Sequence, residues 1–160
     1  MKIAAVILSA FIIIGCSSKQ VQLNEGKKII LLKCTFGEDT LDTFNNTFTR
    51  VYRDTGIYVI DFNFTIEEQQ RIISEINGVN FFDLPDELSH QDFVPYFSGV
   101  WEDQYCYVLL NNKSKRIFWH DYLSYHDSEE YKRLKSVMNI VYDIVWSRKE
   151  VRELPEQVWY

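Results

Sequence analysis

Three histidines, His90, His120 and His126, each lie within two residues of an aspartate, Asp92, Asp121 and Asp127 respectively. Imidazole beside carboxylate is the raw material of metal sites and of acid–base pairs. A zinc site needs three or four ligands that converge from recognisable spacings, such as two histidines four apart on one helix face. His120 and His126 fall instead across a strand end and a loop, so the pattern predicts surface histidines, with Asp127 capping a helix, and no metal. Carboxylates also cluster, at Glu67-Glu68, Asp83 with Asp86-Glu87, Glu102-Asp103 and Glu129-Glu130. The first and last pairs are accounted for by helix starts, where acids satisfy free N–H groups and the helix dipole. The stretch from Asp83 to Asp92 is the densest of these groups. Hydrolytic chemistry would still need an activated nucleophile, and the chain has no glycine-flanked serine elbow, no phosphate loop and no HExxH. The expectation is a protein that is not an enzyme, without cofactor or metal.

Recognition is better represented than catalysis. The stretch "FVPYFSGVWEDQYCYV", residues 93–108, carries Phe93, Tyr96, Phe97, Trp101, Tyr105 and Tyr107. Tyrosine and tryptophan give large rigid contact area with a polar edge, and a loop that displays them can bind a partner. A lid folded over one end of a sheet would use the same residues, and is the plainer of the two readings. Tyr96, Phe97 and Trp101 are the candidate partner-binding residues.

These groups must be positioned by a domain of ordinary size, residues 27–150, followed by a C-terminal tail over 151–160. Apolar alternation predicts a strand over 29–36, a loop over 37–46 and a hairpin of strands 48–53 and 57–64 that turns through Asp54-Thr55-Gly56. Thr65-Ile66-Glu67-Glu68 is a capping box, and Ile66, Ile72, Ile73 and Ile76 recur at helical spacing until Asn77-Gly78. Strands over 104–110 and 117–122, joined by 111–115, precede a longer helix in which Leu134, Val137, Met138, Val141, Ile144 and Val145 form a stripe. Strands followed by a helix, twice, predict an α+β fold: an antiparallel sheet from two strand-then-helix units, with the helices on one face.

The N-terminus gives an address. Lys2 is followed by an apolar run over 3–14 interrupted only by Ser9. Crossing a bilayer takes about 20 apolar residues, so the run suits an export signal rather than a permanent span. Ile13-Ile14-Gly15-Cys16 resembles the lipobox of bacterial lipoproteins. That resemblance implies a signal peptide over 1–15 and lipidation of Cys16 as the mature N-terminus, with residues 16–26 as a tether. Two or three acyl chains at about 0.8 kcal/mol per buried methylene would hold the protein on its membrane. No aspartate follows Cys16, which in enteric-type sorting implies the outer membrane, facing the periplasm.

"KCTFG" at 33–37, "FTRVYRDTGIYV" at 48–59, "TIEEQQRIISEINGVNFFDLPDEL" at 65–88 and "RIFWHDYL" at 116–123 resemble the layout of a family of small bacterial lipoprotein domains of unknown function. The resemblance implies an envelope lipoprotein and confers no activity. That family has a second cysteine and a proline just after its Cys-Phe-Gly element, and this chain has "GEDTLDTFNN" there. Cys34 and Cys106 both fall on apolar alternation registers in a compartment that permits oxidation, so they read either as two small core residues or as a disulfide.

The whole chain has a net charge of −6, and losing Lys2 with the signal would make it one unit more negative. Acid excess disfavours nucleic acid, whose phosphates call for lysine and arginine clusters. The one basic concentration, Lys113, Lys115 and Arg116, is expected at a solvated hairpin tip. Two functions fit: an anchored binding or structural module that meets an envelope protein or glycan, or an immunity-type inhibitor whose acidic surface neutralises a basic toxin or hydrolase.

Overall fold

The computed structural model describes residues 30–52, 56–88, 103–120 and 128–155. The elements are β1 (Ile30–Phe36), β2 (Asp39–Asp42), β3 (Thr47–Tyr52), β4 (Gly56–Asp61), α1 (Ile66–Gly78), a 3-10 turn (Phe81–Asp83), β5 (Glu87–Leu88), β6 (Asp103–Leu110), β7 (Lys113–His120), α2 (Glu129–Ser147) and α3 (Lys149–Arg152). The fold is mixed α and β. A single sheet in the order β4-β3-β2-β1-β6-β7-β5 is antiparallel except for the β5–β7 pair.

Register makes one face of this sheet apolar. Opposed pairs Cys34↔Leu41, Leu41↔Phe48 and Cys106↔Ile117 share it, as do Ile30↔Leu110 and Leu32↔Val108; directly opposed side chains point to the same side. These residues are buried in one core with Ile72, Ile73 and Ile76 of α1 and Leu134, Val137, Val141, Ile144 and Val145 of α2. The middle of the core is crossed by a covalent bond. Cys34 and Cys106 oppose each other on β1 and β6, fully buried, 4.1 Å apart at Cα, with their sulfurs joined.

Helix ends form as their sequences dictate. Thr65 accepts from the Glu68 N–H at 3.2 Å while the Glu68 carboxylate accepts from the Thr65 N–H at 2.8 Å, the reciprocal capping box. The cap of α2 is Ser128, whose hydroxyl accepts from the Tyr131 N–H, rather than Asp127, which lies outside the described residues. α1 ends through Asn80 at φ 49°, and Arg133 of α2 donates to the Val79 and Asn80 carbonyls. Arg148 at the far end of α2 donates to Glu68 at 2.5 Å, so the two helices are fastened at both ends.

Several sequence expectations are corrected. The stretch 37–46 is not all loop, since β2 runs through it. Only Leu41 gives β2 an apolar inward residue, and the aspartates at its two ends are satisfied by Arg50 and Lys33. Where β2 stops, Thr43 continues the pairing: its hydroxyl accepts from the Leu32 N–H at 2.7 Å and its own N–H donates to Leu32 O at 2.8 Å. The β6–β7 connection is Asn111-Asn112 alone, both left-handed at φ 51° and 63°, the conformation a two-residue hairpin with native strand twist demands. Lys113, Lys115 and Arg116 are therefore strand residues, not a tip. Lys115 pairs with Asp86 at 2.6 Å, and Arg116 stacks over the Tyr105 and Phe118 rings. Ile66 is 45% exposed and does not join the α1 core stripe. Val151 is buried, and Pro155 O accepts from Arg50 at 3.3 Å. The ordered domain therefore runs past residue 150, and the expected C-terminal tail begins as part of the core.

Candidate functional site

At the end of the sheet where β1 turns into β2, the apolar face gives way to a polar one. Asp39 and Arg50 occupy core-facing positions, yet both are buried. Arg50 Nε donates to both Asp39 oxygens at 3.1 Å and Arg50 Nη2 donates to one at 2.9 Å. Burial pushes the Asp39 carboxyl above its ordinary value, against the opposing pull of the guanidinium. For Arg50 burial works against the charge, and the bond and attraction to Asp39 outweigh it, so its pKa is raised.

The turn beside this pair is shaped by Gln104 of β6. Its side-chain amide accepts from the Gly37 N–H at 2.9 Å and donates to Gly37 O at 3.4 Å, bracketing a backbone whose φ of 64° suits glycine. Nearby, the Thr35 hydroxyl takes the Tyr105 N–H at 2.9 Å, extending the β1–β6 contact beyond the disulfide pair.

α2 closes the other side. Its stripe continues past the core through Met138, Tyr142 and Trp146, and the rings of the last two meet the sheet. Tyr142 and Trp146 stack at 4.1 Å and 13°, Phe36 meets both edge-on, and Phe48 meets Trp146 at 84°. Between this helix face and the sheet end lies a cleft of about 490 Å³, within the usual range for a small-molecule site. Trp119 and Gln104 line it from the sheet, Phe36 and the Asp39–Arg50 pair lie at its β1–β2 end, and Lys135, Asn139 and Tyr142 line it from the helix. Lys135 and Asn139 are exposed, so their polar groups face incoming solute.

The lining combines aromatic faces with donors and acceptors. Aromatic rings pack against apolar C–H surface, and an amide, an ammonium and a guanidinium–carboxylate pair suit hydroxyls and carboxylates. Such a site can hold and orient an amphiphilic ligand. Among the described residues no three histidine, cysteine or acidic side chains converge as metal ligands.

Of the residues singled out from sequence, Cys16, Tyr96, Phe97 and Trp101 lie outside the described residues, as do His90 and His126. Cys34 and Cys106 are brought together in the core. Asp39, Arg50, Gln104, Trp119 and Trp146 were not anticipated. A signal existed for one of them: "FTRVY" puts Arg50 on the same alternation register as Phe48, and an arginine on an apolar face requires a buried acceptor. The chain matches no family model, no curated protein and no solved structure.

Proposed function

We propose that the protein is a lipid-anchored binding module of the bacterial envelope, without catalytic activity, whose ligand enters the cleft between α2 and the β1–β2 turn. The observation that carries this reading is the coincidence of Trp119, Phe36 and Tyr142 with Lys135, Asn139 and Gln104 around one cavity of about 490 Å³. The ligand class is a saccharide segment bearing a carboxylate. Sugar C–H faces suit the rings, hydroxyls suit Asn139, and a carboxylate suits Lys135. The lipobox-like "IIIGC" supports anchoring through Cys16, on the outer membrane facing the periplasm. Tyr96, Phe97 and Trp101 are carried forward as a second contact surface for an envelope protein or glycan. The same proposal retains the finer layout read in the sequence, two like strand-then-helix units whose helices share one sheet face, and membership of the small lipoprotein family. Nucleic acid is not a proposed partner, given the acid excess.

Titration of the full anchored protein with soluble carboxylated cell-wall glycan fragments, followed by tryptophan fluorescence, tests the cleft, because Trp119 and Trp146 line it. A saturable change that Lys135→Ala weakens is expected. No saturable change up to about 1 mM, where binding is worth only about 4 kcal/mol, would overturn it. The acid excess favours one other reading, an immunity-type inhibitor of a basic toxin or hydrolase. Cross-linking capture of a basic toxin in place of a glycan or an envelope component would support that reading instead.

A further inference from the structure

One wall of the cleft carries charge that is neutralised from within. Arg50 reaches Asp39 through Nε and Nη2 and turns Nη1 to the Pro155 carbonyl at 3.3 Å, so the guanidinium plane is held from two sides. Both residues line the cleft, although Arg50 is only 8% exposed and Asp39 2%. Every other ion pair between described residues has one side chain 31% or more in solvent. Charges are costly to take out of water, and well-packed apolar residues in their place are often as stable or more so. Stability of the sheet therefore does not account for a charged pair here, whereas a place on a cavity wall gives the pair access to a solute.

We propose that Arg50 is a proton-gated anion subsite of the cleft: when Asp39 takes up a proton, the guanidinium is left as an uncompensated cation and holds a second anionic group of the ligand, in addition to the carboxylate at Lys135. The proposal rests on the cleft reading above and adds to it the ligand's charge and the pH at which it binds best. With Asp39 ionised the pair offers a solute no net charge, and the carboxylate repels an anion that approaches it. With Asp39 protonated, its carbonyl oxygen still accepts from Arg50, so the fork stays in place while the wall gains a positive charge that arginine never gives up. The titratable groups around Asp39 are Arg50 with Tyr52 beside it on β3, Tyr131, Lys135 and Tyr142 from α2, and the preceding Glu38. Burial already pushes the Asp39 carboxyl above its ordinary value, against the pull of Arg50 and with a push from Glu38. An anion seated on Arg50 raises it further. The gain in affinity is therefore full below the value in the free protein and is lost as pH rises through the higher value in the complex, at most about tenfold per pH unit for one proton.

Titration of the full anchored protein with soluble carboxylated cell-wall glycan fragments, at about pH 7 and at about pH 5 where ordinary carboxylates are still ionised, tests it. Affinity should rise about fivefold or more on acidification in the parent, and equally in Glu38→Gln, the control for the neighbouring carboxylate. Asp39→Asn should bind at about pH 7 as tightly as the parent does at about pH 5. Because that variant leaves a buried guanidinium uncompensated and is the one at risk of not folding, the Asp39→Asn, Arg50→Gln double variant, which removes both charges together, is titrated beside it and should show no rise on acidification. A parent whose affinity does not rise with acid, or a rise that survives in the double variant, would overturn the subsite. Binding at about pH 7 that Lys135→Ala weakens but acid does not strengthen removes the subsite alone, whereas no saturable binding at either pH removes the cleft reading with it.

Discussion

Asp39 and Arg50 face each other on adjacent strands, one step beyond the Thr40↔Thr49 pair, and put a guanidinium–carboxylate contact where the sheet would otherwise continue its apolar face. Removing one partner of a buried ion pair leaves a charge without its compensation and costs about 3–5 kcal/mol. Arg50→Met should therefore lower stability by that amount in denaturant titration at neutral pH. The deficit should shrink as pH falls. The Asp39 carboxyl, already pushed up by burial, then rises further in the folded state, and a raised folded value means the fold gains stability as the proton binds.

Asp42 behaves with the opposite sign. Burial disfavours its charge, but the bonds from Lys33 at 3.0 Å and from Asn45 outweigh that and hold its pKa below the ordinary 3.8. Its contribution is present above that ordinary value and is lost as pH falls through the lower folded one. Asp42→Asn keeps an oxygen for the Phe44 and Asn45 N–H groups. It should cost about 1–2 kcal/mol at pH 7, discounted because Lys33 is partly in water, and the difference from the parent should fade on acidification below 3.8. Parallel urea melts across the acid range measure it.

The Cys34–Cys106 bond joins residues 72 apart in sequence. In the loop-closure account a cross-link of that span is worth about 4 kcal/mol through the unfolded chain. The Cys34→Ala, Cys106→Ala double variant should lose about that much on chemical denaturation. In the parent, both sulfurs are fully buried, so a mild reductant should open the bond only as the domain unfolds.

How much of this was legible in the sequence depends on which force fixed each element. α1 and α2 are set by local rules, caps and 3.6-residue stripes, and their cores appear in the sequence almost residue for residue; Ile66 departs because the first helical turn faces water. β2 was not legible, because its one inward apolar residue, Leu41, gives no alternation, and its aspartates look like turn formers until Arg50 and Lys33 are placed beside them. The β7 start was hidden for a related reason. Lys113 to Arg116 read as solvated, yet pairing to β6 and stacking on Tyr105 and Phe118 hold them in a strand. The cleft depends on residues 35–50, 104–119 and 131–146 meeting in space, which no local pattern encodes.

Val151 tests where the domain ends. Its side chain is fully buried, beyond the boundary that composition suggests. Val151→Ala should cost about 2 kcal/mol, the transfer of two methyl groups plus the cavity they leave. A thermal melt showing no change would place the C-terminal segment outside the cooperative unit.

Cys16 as the mature N-terminus is tested by intact mass. Membrane-extracted protein should lack residues 1–15 and carry added acyl mass. A Cys16→Ala protein that is still cleaved after Gly15 and still acylated would remove the basis for anchoring.

The covalent link between β1 and β6 also sets how the molecule carries load. A pull applied at Ile30 enters the sheet on a central strand rather than an edge, so it must shear two flanking ladders together instead of unzipping one. With Cys34 and Cys106 joined, the chain between them is shielded from tension. At full extension those 72 positions would pay out about 250 Å of chain. Oxidised and reduced molecules stretched by their ends should differ in final length by about that much, making the bond a limit on how far the domain can be drawn out.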